Sequence, residues 1–183
     1  MREAIETLVG SGDIDEETCA AWREKRRGLD LRRAQELFDA GRVLDAAKLG
    51  LPKAQGEMAR RYYYGADGVE KNPVACYKWA SEAAQSGDRL GQSWLGFTFS
   101  QGTGVAKNKV KALKWYELAA AQGDSFAMNT IGGICAEGGF GVPQNLELAF
   151  SWYRKAVDAG DKASCYVLGE FYYKGRGVEK DLV

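Results

Sequence analysis

Histidine is missing from all 183 residues. With it go the commonest general base and the commonest metal ligand of proteins. Any catalysis would rest on carboxylate, Lys, Tyr or Cys chemistry. Cysteine is sparse: Cys19, Cys76, Cys135 and Cys165 lie far apart, with no C-x-x-C pair. That spacing speaks against zinc held by cysteine pairs and gives a disulfide framework no support. An excess of one charge is absent too. Lys+Arg and Asp+Glu are both 25, so no net field draws the chain to nucleic acid or anionic lipid. No apolar run approaches the roughly 18 residues that span a membrane. The charged, mixed start, Met1-Arg2-Glu3-Ala4-Ile5-Glu6, lacks the apolar core of a secretory signal. A reduced, cytoplasmic setting is the expectation, or a periplasmic or secreted one had a leader been removed. Neither a cofactor nor a metal is expected.

What the chain does have is an ordinary folded composition, 45% apolar and 27% charged, and a strict internal period. Lys78-Trp79, Lys114-Trp115-Tyr116 and Ser151-Trp152-Tyr153 are followed by Ala83-Ala84, Ala119-Ala120 and Ala156, then by Gly87-Asp88, Gly123-Asp124 and Gly160-Asp161. Gly68-Val69, Gly104-Val105, Gly141-Val142 and Gly177-Val178 keep the same step. Such self-similarity marks a solenoid, which presents an extended surface rather than a catalytic cleft.

Each repeat reads as two helices about a Gly-rich turn. In the second, Leu90 to Gln101 forms the first helix, with Leu95 and Phe99 at i, i+4 spacing. Gly102-Thr103-Gly104 breaks it. Lys109 to Gln122 forms the second helix, with Ala112, Trp115, Tyr116 and Ala119 on one face, and Gly123 closes it. Gly96, Gly132 and Gly169, each after a large aliphatic residue, are expected to let the paired helix approach closely. The repeats run over about 51–88, 89–124, 125–161 and, incomplete, 162–183. Residues 1–50 lack the signature and read as an N-terminal helical cap. There Ile14 to Arg27 forms a helix capped by Asp13 or Asp15, followed by a short hairpin of Leu31 to Ala40 and Val43 to Leu49 about Gly41.

The order Gly91, Leu95-Gly96, Phe99, Gly102-Thr103-Gly104-Val105, Lys111-Ala112, Trp115-Tyr116, Ala119-Ala120, Gly123 closely resembles the Sel1-like repeat family, relatives of the tetratricopeptide repeats. The first repeat departs with Met58-Ala59 in place of Leu-Gly, and the third carries an extra glycine in Gly138-Gly139-Phe140-Gly141. Secreted members of the family often pair cysteines within each repeat. The cysteines here do not recur at matched positions, so the chain falls outside that pattern.

The resemblance implies an all-α, right-handed α-α superhelix acting as a non-enzymatic adaptor, scaffold or regulator. A protein or peptide partner would lie on its concave face, lined mainly by the first helix of each pair. Carried onto this sequence, that geometry selects Arg60, Tyr63 and Tyr64 in the first repeat and Trp94, Phe97 and Gln101 in the second. It selects Asn129, Thr130 and Glu137 in the third and Tyr166, Glu170 and Tyr173 in the fourth. Trp94 and Phe97 lie off the Leu95/Phe99 stripe, which makes them either binding anchors or packing against a neighbouring element. Small bacterial proteins of this repeat type also include immunity proteins that neutralise a cognate toxin. Two further readings stay open: a small-ligand binder, and a homo-oligomer built through the unfinished fourth repeat. Gly102-Thr103-Gly104 is no dinucleotide loop, because no strand precedes it. Cys135 and Cys165 fall in first helices and read as buried structural thiols.

Overall fold

The computed structural model describes residues 15–139 and 141–177. Asp13, Ile14, Phe140, Val178 and Val183, on which some expectations rest, lie outside them. The chain divides into two compact units, Met1–Leu51 and Pro52–Val183.

In the first unit α1 spans Glu16–Asp39 and α2 spans Val43–Lys48. Asp15 caps α1, its Oδ1 accepting the Thr18 N–H at 2.6 Å. That bond favours the ionised form and holds the Asp15 carboxyl below its ordinary range. Two expected helices, Ile14 to Arg27 and Leu31 to Ala40, are one continuous helix. The expected break sits at Gly28, which is helical with no atom within 4 Å of where a Cβ would stand. A mid-helix glycine weakens a helix by only about 1 kcal/mol, and the Arg26–Asp30 pair spans the site at i, i+4.

The second unit is a stack of helical hairpins. Its helices are α3 (Pro52–Tyr64), α4 (Pro73–Gln85), α5 (Arg89–Gln101), α6 (Lys109–Ala121), α7 (Ser125–Glu137), α8 (Leu146–Asp158) and α9 (Lys162–Lys174). Each begins at a polar cap or at Pro52. Asp88, Asp124 and Asp161 cap the first helices of repeats two to four; Asn72, Asn108 and Asn145 cap the second helices of repeats one to three. Each side chain satisfies an N–H that the helix itself cannot. The same asparagines anchor the returning loop, since the N–H groups of Asn72, Asn108 and Asn145 donate to Tyr62, Phe99 and Cys135 carbonyls at 2.8 Å.

The core runs along the stack as small and large residues in register. Tyr116 and Tyr153 are buried, and a Cβ on Gly96 or Gly132 would stand 2.9 Å from the respective ring. Glycine is therefore the residue that admits the tyrosine at that helix crossing. The first repeat keeps the volume by another route: alanine stands at both equivalent positions, Ala59 and Ala80, both fully buried. The turn glycine Gly104 has a second reason. At φ +69° its missing Cβ would collide with the Pro73 carbonyl at the start of α4, so the turn of one repeat seats on the second helix of the repeat before it.

Candidate functional site

On α3, Arg60, Tyr63 and Tyr64 share a face at i, i+3, i+4; on α5, Leu90, Ser93, Trp94 and Phe97 do the same. The two helices pack side by side, whereas α5 and α7 make little direct contact among the described residues. A cleft of about 400 Å³ opens there, lined by these seven residues together with Asp124 and Phe126 of the third repeat. That volume lies in the range of small-molecule and side-chain pockets.

The walls are aromatic and interlocked. Tyr63 meets Phe97 edge-on at 4.8 Å between ring centroids, Tyr64 edge-on at 4.9 Å and Trp94 tilted at 5.4 Å. Trp94 meets Phe97 edge-on at 5.4 Å and Tyr64 at 6.0 Å. Edge-to-face pairs of this kind stabilise one another by about 0.5–1.5 kcal/mol each beyond simple burial. Their rotamers are thereby set, while Tyr64 stays 63% exposed and Phe126 51% exposed at the rim. Trp94 and Phe97 pack against the neighbouring repeat through Tyr63 and also line an open cleft.

The charges nearby are mostly spent on one another. Arg60 donates to both oxygens of Glu57, at 2.9 and 2.7 Å, and lies 3.7 Å from Asp67. Arg61 lies 3.2 Å from each of the same two carboxylates. Hydrogen bonds from Arg60 hold the Glu57 carboxyl below its usual range, against the opposing effect of burial, and Glu57 in turn raises the Arg60 guanidinium.

Of the twelve residues selected from sequence, five line this cleft: Arg60, Tyr63, Tyr64, Trp94 and Phe97. The other seven do not. Gln101 is exposed at the end of α5. Asn129 is a strut between repeats, donating to Asp161 Oδ2 at 3.0 Å and Ser164 Oγ at 2.6 Å. Thr130 donates back to the Phe126 carbonyl within α7. Glu137 pairs with Lys109 of α6 at 3.0 Å. On α9, Glu170 pairs with Lys174 at 2.9 Å, and Tyr166 and Tyr173 are exposed. Cys135 is buried as expected; Cys165 is exposed, lying off the face of the helix that carries the buried Ser164 and Phe171.

Four lining residues escaped sequence reasoning: Leu90, Ser93, Asp124 and Phe126. Phe126 was findable, since it stands two residues after Asp124 as Leu90 stands two after Asp88. Asp124 was visible only as part of a helix-ending Gly-Asp step.

The Sel1 repeat model matches the chain four times, over residues 52–88, 90–124, 125–161 and 162–183. The protein belongs to the Sel1 repeat family. Sel1 repeats generally mediate protein–protein interactions, and the family is typically of non-enzymatic scaffold type. Among solved structures the chain is similar to c5321, a protective antigen of uropathogenic Escherichia coli strains displaying an SLR fold. Identity is 35% with a TM-score of 0.69, over 76% of this chain and 29% of that one. It is equally similar to a Sel1 repeat protein from Oxalobacter formigenes, at 35% identity and TM-score 0.68, over 82% of this chain and 64% of that one. Helicobacter pylori cysteine rich protein B shares the fold at 21% identity and TM-score 0.54, over 74% of this chain and 95% of that one. The chain thus spans under a third of the first of these relatives and just under two thirds of the second. No curated protein matches the sequence. The all-α repeat superhelix that the resemblance implied is the fold of this Sel1 repeat stack. No helix among the described residues is long and apolar enough to cross a membrane.

Proposed function

We propose that the protein is a non-enzymatic interaction module that binds a segment of a partner protein along the first helices of its repeats. The aromatic cleft between α3, α5 and α7 is its anchor site. The observation that carries this reading is the cleft itself: five rings, from Tyr63, Tyr64, Trp94, Phe97 and Phe126, surround an accessible space of about 400 Å³. Aromatic side chains gathered around an open space, rather than spread singly over the surface, are the kind of patch that marks an interaction site. Aromatic side chains whose rotamers are already fixed lose little entropy on binding, and such residues dominate interface energetics. The surrounding contacts would exclude water and align the segment.

Selection of a displayed random-peptide library against the wild type, with titration of the winners by calorimetry, tests the reading. Trp94→Ala and Phe97→Ala should each weaken a winner by tenfold or more, given typical anchor costs of about 2 kcal/mol. Circular dichroism should retain the helical signal. A library that yields no binder sensitive to either variant would remove the cleft from the function.

A further inference from the structure

Of the two charged residues lining the cleft, Asp124 is the one with no ion pair among the described residues. Its Oδ1 accepts the Ala127 N–H at 2.8 Å, capping α7, and its Oδ2 receives no hydrogen bond from the described residues. The residue is nonetheless only 8% exposed and lines the cleft. The positive end of α7 supplies about half an elementary charge, which a full carboxylate exceeds. Arg60, the other charged lining residue, is closed within a network of two arginines and two carboxylates, with Arg61, Glu57 and Asp67. A buried carboxylate with a vacant oxygen beside aromatic faces is the arrangement that suits a cation.

The repeat itself supplies the comparison. Asp88 and Asp161 hold the same capping position, yet neither lines the cleft. Oδ2 of Asp161 accepts three bonds, from the Ser164 N–H, the Ser164 hydroxyl and Asn129 Nδ2. Oδ2 of Asp88 takes the Gly91 N–H and packs beside Gly56 of α3. Each of the three aspartates leaves its other oxygen without a hydrogen bond from the described residues, so what sets Asp124 apart is its burial and its place in the cleft wall. The ring cluster already accepts one cation, Lys71 Nζ, 5.5 Å from the Tyr63 centroid.

We infer that the cleft recognises a cationic side chain, an arginine by preference, on the partner segment. This rests on the peptide-binding reading above and specifies its ligand chemistry. The guanidinium donates an N–H to Asp124 Oδ2 while its plane lies on the indole of Trp94 or the ring of Tyr64. Lysine keeps the charge but forgoes the stacking, because its ammonium is compact and strongly hydrated.

The test uses the displayed random-peptide library on the full chain, with Asp124→Asn beside Trp94→Ala. Asparagine caps a helix as well as aspartate does, so Asp124→Asn removes the charge and keeps the fold; Asp88→Asn is the matched control. Winners should carry an arginine. They should lose about tenfold affinity in Asp124→Asn and weaken with added salt, as expected for a charge pair in a partly wet site. Asp88→Asn should leave them unchanged. Winners that lack a cation, or that ignore Asp124→Asn, overturn the inference; if those same winners still fail on Trp94→Ala, the cleft remains an apolar anchor site. Winners carrying lysine throughout overturn the preference for a planar guanidinium. Winners indifferent to both variants, or no winners at all, overturn the inference and the binding reading together.

Discussion

Gly96, Gly132 and Gly169 occupy one register position, and the structure gives them different fates. The first two lie under the rings of Tyr116 and Tyr153; the third has no atom of the described residues within 4 Å. Alanine at Gly96 or Gly132 forces a buried ring to move, at a typical overpacking cost of about 1–3 kcal/mol that exceeds the roughly 1 kcal/mol gained in helix propensity. Alanine at Gly169 keeps only the gain. Urea unfolding should therefore show Gly96→Ala and Gly132→Ala with lowered midpoints and Gly169→Ala with an unchanged or raised one. Burial acts on titration at this scale too. Desolvation lifts the Cys76 thiol from 9.0 to about 12, and raises Tyr153 in the same direction. The sign follows from proton linkage: the unfolded thiol loses its proton first, so the folded state is disfavoured as pH climbs from about 9 toward 12. Thermal melts in that window should fall, and Cys76→Ala should flatten the fall. Ellman's reagent near pH 8 should modify exposed Cys165 quickly and buried Cys76 only on unfolding.

At the scale of elements, the hairpins were legible because glycine, asparagine and aspartate punctuate them at a fixed step. The observed α5 and α6 differ from the expected limits by one residue at one end. The continuous α1 was not legible, since a glycine stops a helix only where something else favours the turn, and nothing surrounds Gly28. Site residues were half legible for a related reason. Helical spacing tells which residues share a face but not which neighbour covers that face. Asn129 shows the limit: it lies in the expected binding register, yet its amide is committed to Asp161 and Ser164 of the next repeat. Losing a strut of two hydrogen bonds costs about 1–2 kcal/mol. Asn129→Ala should accordingly lower the melting temperature by several degrees and leave peptide binding unchanged. A weakened affinity with unchanged stability would return Asn129 to the binding surface.

For the repeat unit as a whole, residues 52–183, the decisive property is that each helix packs mainly on its sequence neighbours. Stability in such a stack is close to a sum of hairpin terms and interface terms, so opening can be local. Within the described residues α9 packs mainly on α8, through Phe171 against Tyr153 at 5.4 Å and against Phe150 at 6.4 Å, with only the Asn129 hydrogen bonds tying its first turn to α7. By contrast α5 is held by α3, α4 and α6. Amide exchange should rank accordingly, with α9 opening at least tenfold more readily than α5 and α6. Phe171→Ala sharpens the test, because it removes the main apolar contact of α9 and touches nothing near the cleft. It should hasten exchange throughout α9, leave the α5 and α6 amides at their wild-type rates, and leave the affinity of a cleft-binding peptide intact. If every amide speeds up together, the stack opens as one cooperative unit. Binding at α3 and α5 would then be coupled to the far end of the array rather than insulated from it.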